Sequence, residues 1–209
     1  MTKVLVLGAG GRIARWAIDR LADEDVELTL FLRDQSKLRD PPKGARVVVG
    51  DVLDRERLDP AVRGQDVVYA NLAGDVDRQA TSIVEAMAAG DVQRLVFVAA
   101  LGIYDEVPGA FRAWNRQQIG DMLGPYRAAA DTIERSGLDY TILRPAWLTD
   151  ADETSYEVTE KGEPFKGTEV SRKSVAALVT DIVTHRDRWI RANLGVNKPG
   201  TDGDKPDFL

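Results

Sequence analysis

Three glycines, Gly8, Gly10 and Gly11, follow the apolar run Val4-Leu5-Val6-Leu7 and precede Ile13, Trp16, Ala17 and Leu21 at three-to-four spacing. A strand, a glycine cluster and a helix in that order prepare a place for phosphate. Glycine admits the unusual φ of a tight strand-to-helix turn, and a side chain there would hold a pyrophosphate away from the N–H groups at the helix N-terminus. The spacing fits G-x-x-G-x-x-A, with Gly8, Gly11 and Ala14, because the third glycine of G-x-G-x-x-G would stand where the chain has Ile13. Ala14 is small enough for the helix to lie close on a sheet. The reading is a dinucleotide-binding βαβ unit, with a plain tight turn as the alternative.

Cations stand where such a unit would use them. Val26 to Leu32 reads as the second strand, Arg33 is the first polar residue beyond it, and Lys37 follows four residues on. The end of that strand reaches the adenosine ribose in dinucleotide folds, where an acidic residue binds the 2′-OH of NAD and an arginine accommodates the 2′-phosphate of NADP. With Arg12 in the glycine loop, three cations are expected to converge, which favours NADP(H). Asp34 next to Arg33 keeps NAD(H) open, and solvated surface charges are the plainer reading of Arg33 and Lys37.

A doubly wound parallel sheet would position these residues, and the chain alternates accordingly. Further strands are expected at Arg46 to Gly50, Asp66 to Ala70 and Arg94 to Ala100, with helices at Asp54 to Val62 and Asp75 to Ala89. Ligands bind at the carboxyl ends of such strands. The expected contacts are therefore Asp51 and Val52 beside the adenine, Leu72, Ala73 and Gly74 along the dinucleotide, and Ala99, Ala100 and Leu101 near the nicotinamide. Each has a plainer reading as turn punctuation.

Composition narrows the chemistry. The 209 residues carry a net charge of −6, with no basic field for nucleic acid or an anionic membrane surface. The absence of cysteine excludes a thiolate nucleophile and Cys-rich metal sites, and the single histidine, His185, cannot form a cluster, so no metal site is expected. No leader pattern and no apolar run of roughly 18 residues is present, so a cytoplasmic protein with a small-molecule substrate is the expectation. The sequence says nothing of oligomeric state.

The segment Ser136-Gly137-Leu138-Asp139-Tyr140-Thr141-Ile142-Leu143-Arg144-Pro145-Ala146 is more specific. With the glycine loop, Arg33, Gly50-Asp51-Val52 and Val170-Ser171-Arg172-Lys173-Ser174-Val175-Ala176, it resembles the atypical short-chain dehydrogenase/reductase superfamily. The branch it is most similar to holds NAD(P)H-binding proteins like flavin/biliverdin reductase and the NmrA-like group. The resemblance runs from Val4 to about Thr184. It implies a Rossmann fold and places the turn at Pro145 near the nicotinamide.

It also implies an apparatus that this chain lacks: a Ser after the fifth strand and a Tyr-x-x-x-Lys on the next helix. Ala99-Ala100 stands where Ser-Ser is common, and no lysine occurs between Lys43 and Lys161. Without a lysine to lower its pKa, a tyrosine keeps a reference value of about 10 and donates a proton but accepts one poorly. Reduction of an easily reduced planar acceptor, flavin- or quinone-like, stays open, because hydride transfer needs mainly position. Tyr104 first and Tyr126 second are the candidate proton donors, against a structural role for each. A non-catalytic NADP(H)-sensing regulator is the alternative function.

The remaining expectations concern organisation. Residues 1–196 should form one NAD(P)-binding Rossmann domain with a small C-terminal substrate lobe, its insertions at about 102–125 and 147–170. The first insertion, with Phe111 and Trp114, reads as a loop and short helix over the cofactor or as a satellite apolar cluster. Trp147 is a second candidate for the pocket wall. Tyr156 to Phe165 reads as a hairpin, Ser171 as a helix cap, Trp189 to Val196 as an edge strand, and residues 197–209 as a flexible tail.

Overall fold

Val4 to Leu7 are fully buried, which a strand achieves when both its faces are covered, and β1 (Thr2–Leu7) accordingly lies inside the sheet. It pairs in parallel with β2 (Val26–Leu32) on one side and β4 (Val67–Ala70) on the other. The computed structural model describes residues 1–38 and 40–209. Among them an eight-stranded sheet runs β3 (Arg46–Val49), β2, β1, β4, β5 (Arg94–Val98), β6 (Asp139–Pro145), β10 (Ala192–Asn197) and β8 (Glu157–Glu160). Only the last pairing, β10 with β8, is antiparallel. A short parallel pair, β7 (Trp147–Thr149) with β9 (Glu169–Ser171), stands apart.

The two-residue period of β1 divides the core. Val4 and Val6 pack with Ala14, Ala17 and Leu21 of α1 (Arg12–Leu21) and Val175 and Val179 of α5 (Arg172–Thr184). Leu5 and Leu7 face the other way, onto Leu58 of α2 (Arg55–Val62), Ile83 and Met87 of α3 (Val76–Ala89) and Ile133 of α4 (Gly109–Arg135). This is the doubly wound Rossmann architecture expected. Because the chain runs outward from β1 to β2 and β3 and then returns to β4, the carboxyl ends of β1 and β4 open a crevice between diverging connections.

Local signals act as their chemistry dictates. Asp54 accepts a hydrogen bond from Glu56 N (3.1 Å) and starts α2, and Ser171 Oγ accepts one from Ser174 N (2.9 Å) and starts α5. His185 ends α5 with its Nδ1 3.0 Å from the Asp181 carbonyl.

Four segments differ from expectation. The first insertion is largely helix: α4 starts at Gly109, leaves helical geometry at Ile119 (φ −130°, ψ 15°) and continues past Pro125. Tertiary burial of Leu123, Ala129, Ala130 and Ile133 overrides the breakers there. Tyr126 is therefore in mid-helix. The hairpin does not form: β8 pairs with β10 instead of its neighbouring segment, so β8 is the edge and β10 is interior. The tail is tied down: Thr168 N and Oγ1 donate to Thr201 O (2.9 and 2.7 Å), Lys198 N donates to Glu169 O (2.7 Å), and Pro206 is buried.

One buried ion pair fixes the loop after β5. Arg144, 1% exposed, pairs with Glu106 and donates through Nε to Asn193 Oδ1 (2.7 Å). Glu106 in turn accepts from Gly102 N (3.0 Å) and Tyr104 N (2.9 Å), holding the turn between β5 and α4. Glu106→Ala leaves the guanidinium buried without its partner and should cost about 3–5 kcal/mol in urea unfolding. Arg78→Ala, at one end of the exposed pair with Asp75, should change stability by less than about 1 kcal/mol.

Candidate dinucleotide and acceptor site

The glycine loop is held by the end of β2 and by its own turn. Gly8 N and Ala9 N both donate to Phe31 O (2.9 and 3.2 Å), and Gly11 N donates to Gly8 O (2.9 Å). Gly8 has φ +80°, and a Cβ on it would lie 2.2 Å from the Asn71 carbonyl oxygen at the end of β4; one on Gly11 would lie 2.5 Å from Asn71 Nδ2. Both positions exclude side chains, one by conformation and contact, the other by contact alone. Gly11 is the N-cap of α1, and the first N–H bonded back into the helix is that of Arg15. The N–H groups of Arg12, Ile13 and Ala14 precede it, and no acidic residue occupies the first turn, so the helix start suits an anion.

A cleft of about 270 Å³ opens over this loop, lined by Gly8, Gly10, Gly11, Leu32, Arg33, Asp34, Lys37, Asp51, Val52, Asn71, Leu72, Ala73 and Gln79, among others. At its β2 end Arg33 and Lys37 are both present. Arg33 makes a loose exposed pair with Asp51 at 3.9 Å. Asp34 is occupied: its carboxylate accepts from Ser36 Oγ (2.7 Å) and Ser36 N (3.0 Å), bonds that hold its pKa below the usual value and cap the turn carrying Lys37. At the other end Gln79 Nε2 donates to Ala73 O (3.3 Å), while Gln79 Oε1 is buried and unpartnered among the described residues.

Of the expected cofactor contacts, Ala99, Ala100 and Pro145 line a second cavity, Gly74 lies outside this cleft, and the side chains, though not the N–H groups, of Arg12 and Ile13 are placed elsewhere. Arg12 does not join Arg33 and Lys37, because it forms an ion pair with Asp150, on the far side of the loop. Ile13, 4% exposed, packs into the core beneath α1, and Gly74 lies outside the cleft lining, past Ala73. Asn71 and Gln79, absent from the expected contacts, line the cleft. Asn71 is the first residue beyond β4, so the strand-end rule points at it. Gln79 stands inside a helix and carries no such signal.

A second cavity, of about 410 Å³, adjoins the end of β5. Ala99, Ala100 and Leu101 form its floor, Ile119, Met122 and Tyr126 of α4 one wall, Pro145 to Leu148 another, and Arg172, Phe208 and Leu209 the rim. Trp147 is the wall residue expected, its Nε1 donating to the buried Asn115 Oδ1 (2.9 Å). Trp114 packs behind it at 4.7 Å between ring centroids and Phe111 behind Trp114 at 6.0 Å, so these two aromatics are a supporting cluster. The rim residues Phe208 and Leu209 arrive through the docked tail, and an apolar pair after a polar stretch was the signal for them.

The two tyrosines separate cleanly. Tyr104 lines neither cavity. Its O–H donates to Glu134 Oε1 (3.1 Å) and accepts from Asn193 Nδ2 (2.8 Å), and its ring lies under Lys161 and Arg127 at 4.2 and 4.6 Å. Burial, then the Glu134 charge, push its pKa up. Tyr104 is thus a structural residue, which corrects the preference for it as proton donor. Tyr126 lines the second cavity and donates to the Leu72 carbonyl (3.3 Å), on the lining of the first. Burial raises its pKa, so it stays protonated and able to donate.

Comparison with known proteins gives the family and the fold. A family model described as NAD(P)H-binding matches residues 8–186. A Rossmann-fold NAD(P)-binding family protein from Shigella flexneri is 53% identical, with a TM-score of 0.87 and the whole of each chain covered. A wide-type short-chain dehydrogenase/reductase from Veillonella parvula, solved in complex with NADP, is 31% identical, with a TM-score of 0.93 and 99% of each chain covered. The (4-alkanoyl-5-oxo-2,5-dihydrofuran-3-yl)methyl phosphate reductase of Streptomyces griseus is 30% identical over 142 residues, 68% of this chain; the chain spans 46% of that relative's length.

The two glycines should respond differently to alanine. Gly8→Ala combines strain at positive φ with a backbone clash and should lose about 1–3 kcal/mol of stability as well as dinucleotide binding. Gly11→Ala meets the end of the Asn71 side chain, which can move, and the Gly8 carbonyl oxygen at 3.1 Å, so it should cost less stability than Gly8→Ala while the affinity for NADPH, read by nicotinamide fluorescence, falls at least about tenfold, or 1.4 kcal/mol.

Proposed function

The chain belongs to the NAD(P)H-binding family of Rossmann-fold oxidoreductases, and on that premise we propose that it is an NADPH-dependent reductase of a small planar acceptor, flavin- or quinone-like. The observation that carries the proposal is the hydrogen bond from Tyr126 to the Leu72 carbonyl, which joins the linings of two cavities: a glycine cradle with an anion-suited helix start, and an apolar pocket at the end of β5. The residues fit a dinucleotide. The loop of Gly8, Gly10 and Gly11 lines the cleft without side chains and ends at a helix start free of acidic residues, and Gln79 Oε1 offers a buried acceptor awaiting a donor. When bound, NAD(P)H supplies a hydride.

The protein's own groups do the rest. Gly8, Gly10 and Gly11 with the first N–H groups of α1 hold the pyrophosphate, and Arg33 and Lys37 receive a 2′-phosphate. Asp34, the residue that would favour NAD, is engaged by Ser36. Ala99, Ala100 and Trp147 bound the acceptor with apolar surface and exclude water from it. Tyr126 carries the one side-chain hydroxyl among the described residues lining the acceptor cavity and gives a proton to the reduced acceptor.

Direction follows from the same residues. Lys161, the first lysine after Lys43, lies over the ring of Tyr104 and not near Tyr126. Nothing lowers the Tyr126 pKa toward neutrality, so the site donates a proton readily and withdraws one poorly. Reduction is favoured over alcohol oxidation.

Arg33→Ala should weaken NADPH about tenfold or more, as expected for loss of a charge-assisted phosphate contact, while NADH changes by less than about twofold; equal weakening would refute the 2′-phosphate role. Tyr126→Phe should lower kcat by about 10²-fold, the scale of general acid catalysis, with NADPH affinity unchanged. The pH profile of the native enzyme should show no loss from Tyr126 until the pH rises above the ordinary tyrosine range, because its pKa is raised and the donor form persists below it. NADPH that binds but is consumed by none of a panel of flavins, quinones and aldehydes would overturn the proposal.

A further inference from the structure

Among the described residues lining the acceptor cavity Arg172 is the one charged side chain, and it is 15% exposed. Its hydrogen bonds all run through one nitrogen: Nη1 donates to Leu148 O (3.2 Å) and to Asp150 Oδ1 (2.9 Å). Among the described residues Nε and Nη2 make none. Asp150 is also shared, since its other oxygen pairs with Arg12. Two guanidinium groups thus share one side-chain carboxylate at the edge of an apolar pocket, and Lys173 is paired with Asp152. A guanidinium with free donors in partly desolvated surroundings is built to take an oxyanion, in a forked contact if the geometry allows. Burial already weighs against the charged form of this side chain, and an anion would relieve that penalty.

Resting on the reductase reading, we propose that the acceptor carries an anionic group, phosphate or carboxylate, at one end of its planar body, and that Arg172 receives this group and sets specificity. The apolar walls of Ala99, Met122 and Trp147 take the ring system, while Arg172 takes the anion at the rim. Asp150 holds the guanidinium in place without using its outer donors. Arg172 is a specificity residue and takes no part in hydride or proton movement.

FMN and riboflavin share one ring system and differ by a phosphate, so they test the proposal directly. The protein saturated with NADP⁺ is titrated with each, following flavin fluorescence. The expected result is FMN bound at least tenfold tighter than riboflavin, a tenfold or greater loss of FMN affinity in Arg172→Gln with riboflavin changed by less than twofold, and partial recovery in Arg172→Lys. Equal affinities, equal losses, or no FMN binding would overturn the proposal. Should Arg172→Gln fail to fold, Asp150→Asn decides. Asparagine keeps an oxygen to accept from Nη1, and so the guanidinium's position, but removes the charge that part-neutralises it; FMN should tighten severalfold, and weaker or unchanged FMN binding would contradict the proposal. NADPH oxidation with the same flavins keeps the two readings apart. Arg172-dependent FMN binding without NADPH consumption sinks the reductase reading alone, and turnover of both flavins with equal kcat/KM sinks the anion proposal alone.

Discussion

The contact between the glycine loop and the end of β4 is the constraint on which the rest of this structure depends. Asn71 presses its carbonyl oxygen and its amide against the loop so closely that a single Cβ at Gly8 or Gly11 would overlap it. That closeness brings the first turn of α1 over the carboxyl ends of β1 and β4, where the sheet's order of strands reverses. It also requires α1 to lie tightly on the sheet, which Ala14 and Ala17, both fully buried, permit. Anion binding at a helix start follows from unpaired N–H groups and their aligned dipoles; the loop's contribution is to put them on the cleft that runs from Arg33 to Ala73.

Two polar clusters beyond the loop have separate tasks. Arg144 and Glu106, with Tyr104, Glu134, Asn193 and Lys161, tie the β5 turn to α4, β8 and β10. The charges there are largely used up on one another, and the cluster faces neither cavity. Tyr126, by contrast, has one long hydrogen bond and an apolar surround, so its hydroxyl remains able to turn toward a ligand. The same residue type is held in a hydrogen-bonded network in one place and lines a cavity in the other because of what surrounds it.

Much of this was legible in the sequence because it depends on neighbours a few residues apart. The run into Gly8, the exit of β2 at Arg33, the caps Asp54 and Ser171 and the strand ends at Asp51, Leu72 and Ala99 are all local patterns. Long-range partners were not legible. Arg12 was expected beside Arg33, but an aspartate 138 residues away claims it. Gly120, Gly124 and Pro125 weaken a helix locally, yet α4 runs through them because its next turns bury Ala129, Ala130 and Ile133. The choice of Tyr104 over Tyr126 failed for the same reason, since it turned on Glu134 and Asn193, which lie 30 and 89 residues from Tyr104.

A fixed cradle implies a fixed face. If the glycine loop and Ala99-Ala100 hold the nicotinamide against the acceptor cavity, hydride must leave from one side only. Single-turnover oxidation of NADPH deuterated at either the pro-R or the pro-S position, with an excess of FMN, tests this most directly. The account predicts a primary isotope effect with one of the two and none with the other. Acceptor-dependent oxidation that is slowed equally by both, or by neither, would contradict it.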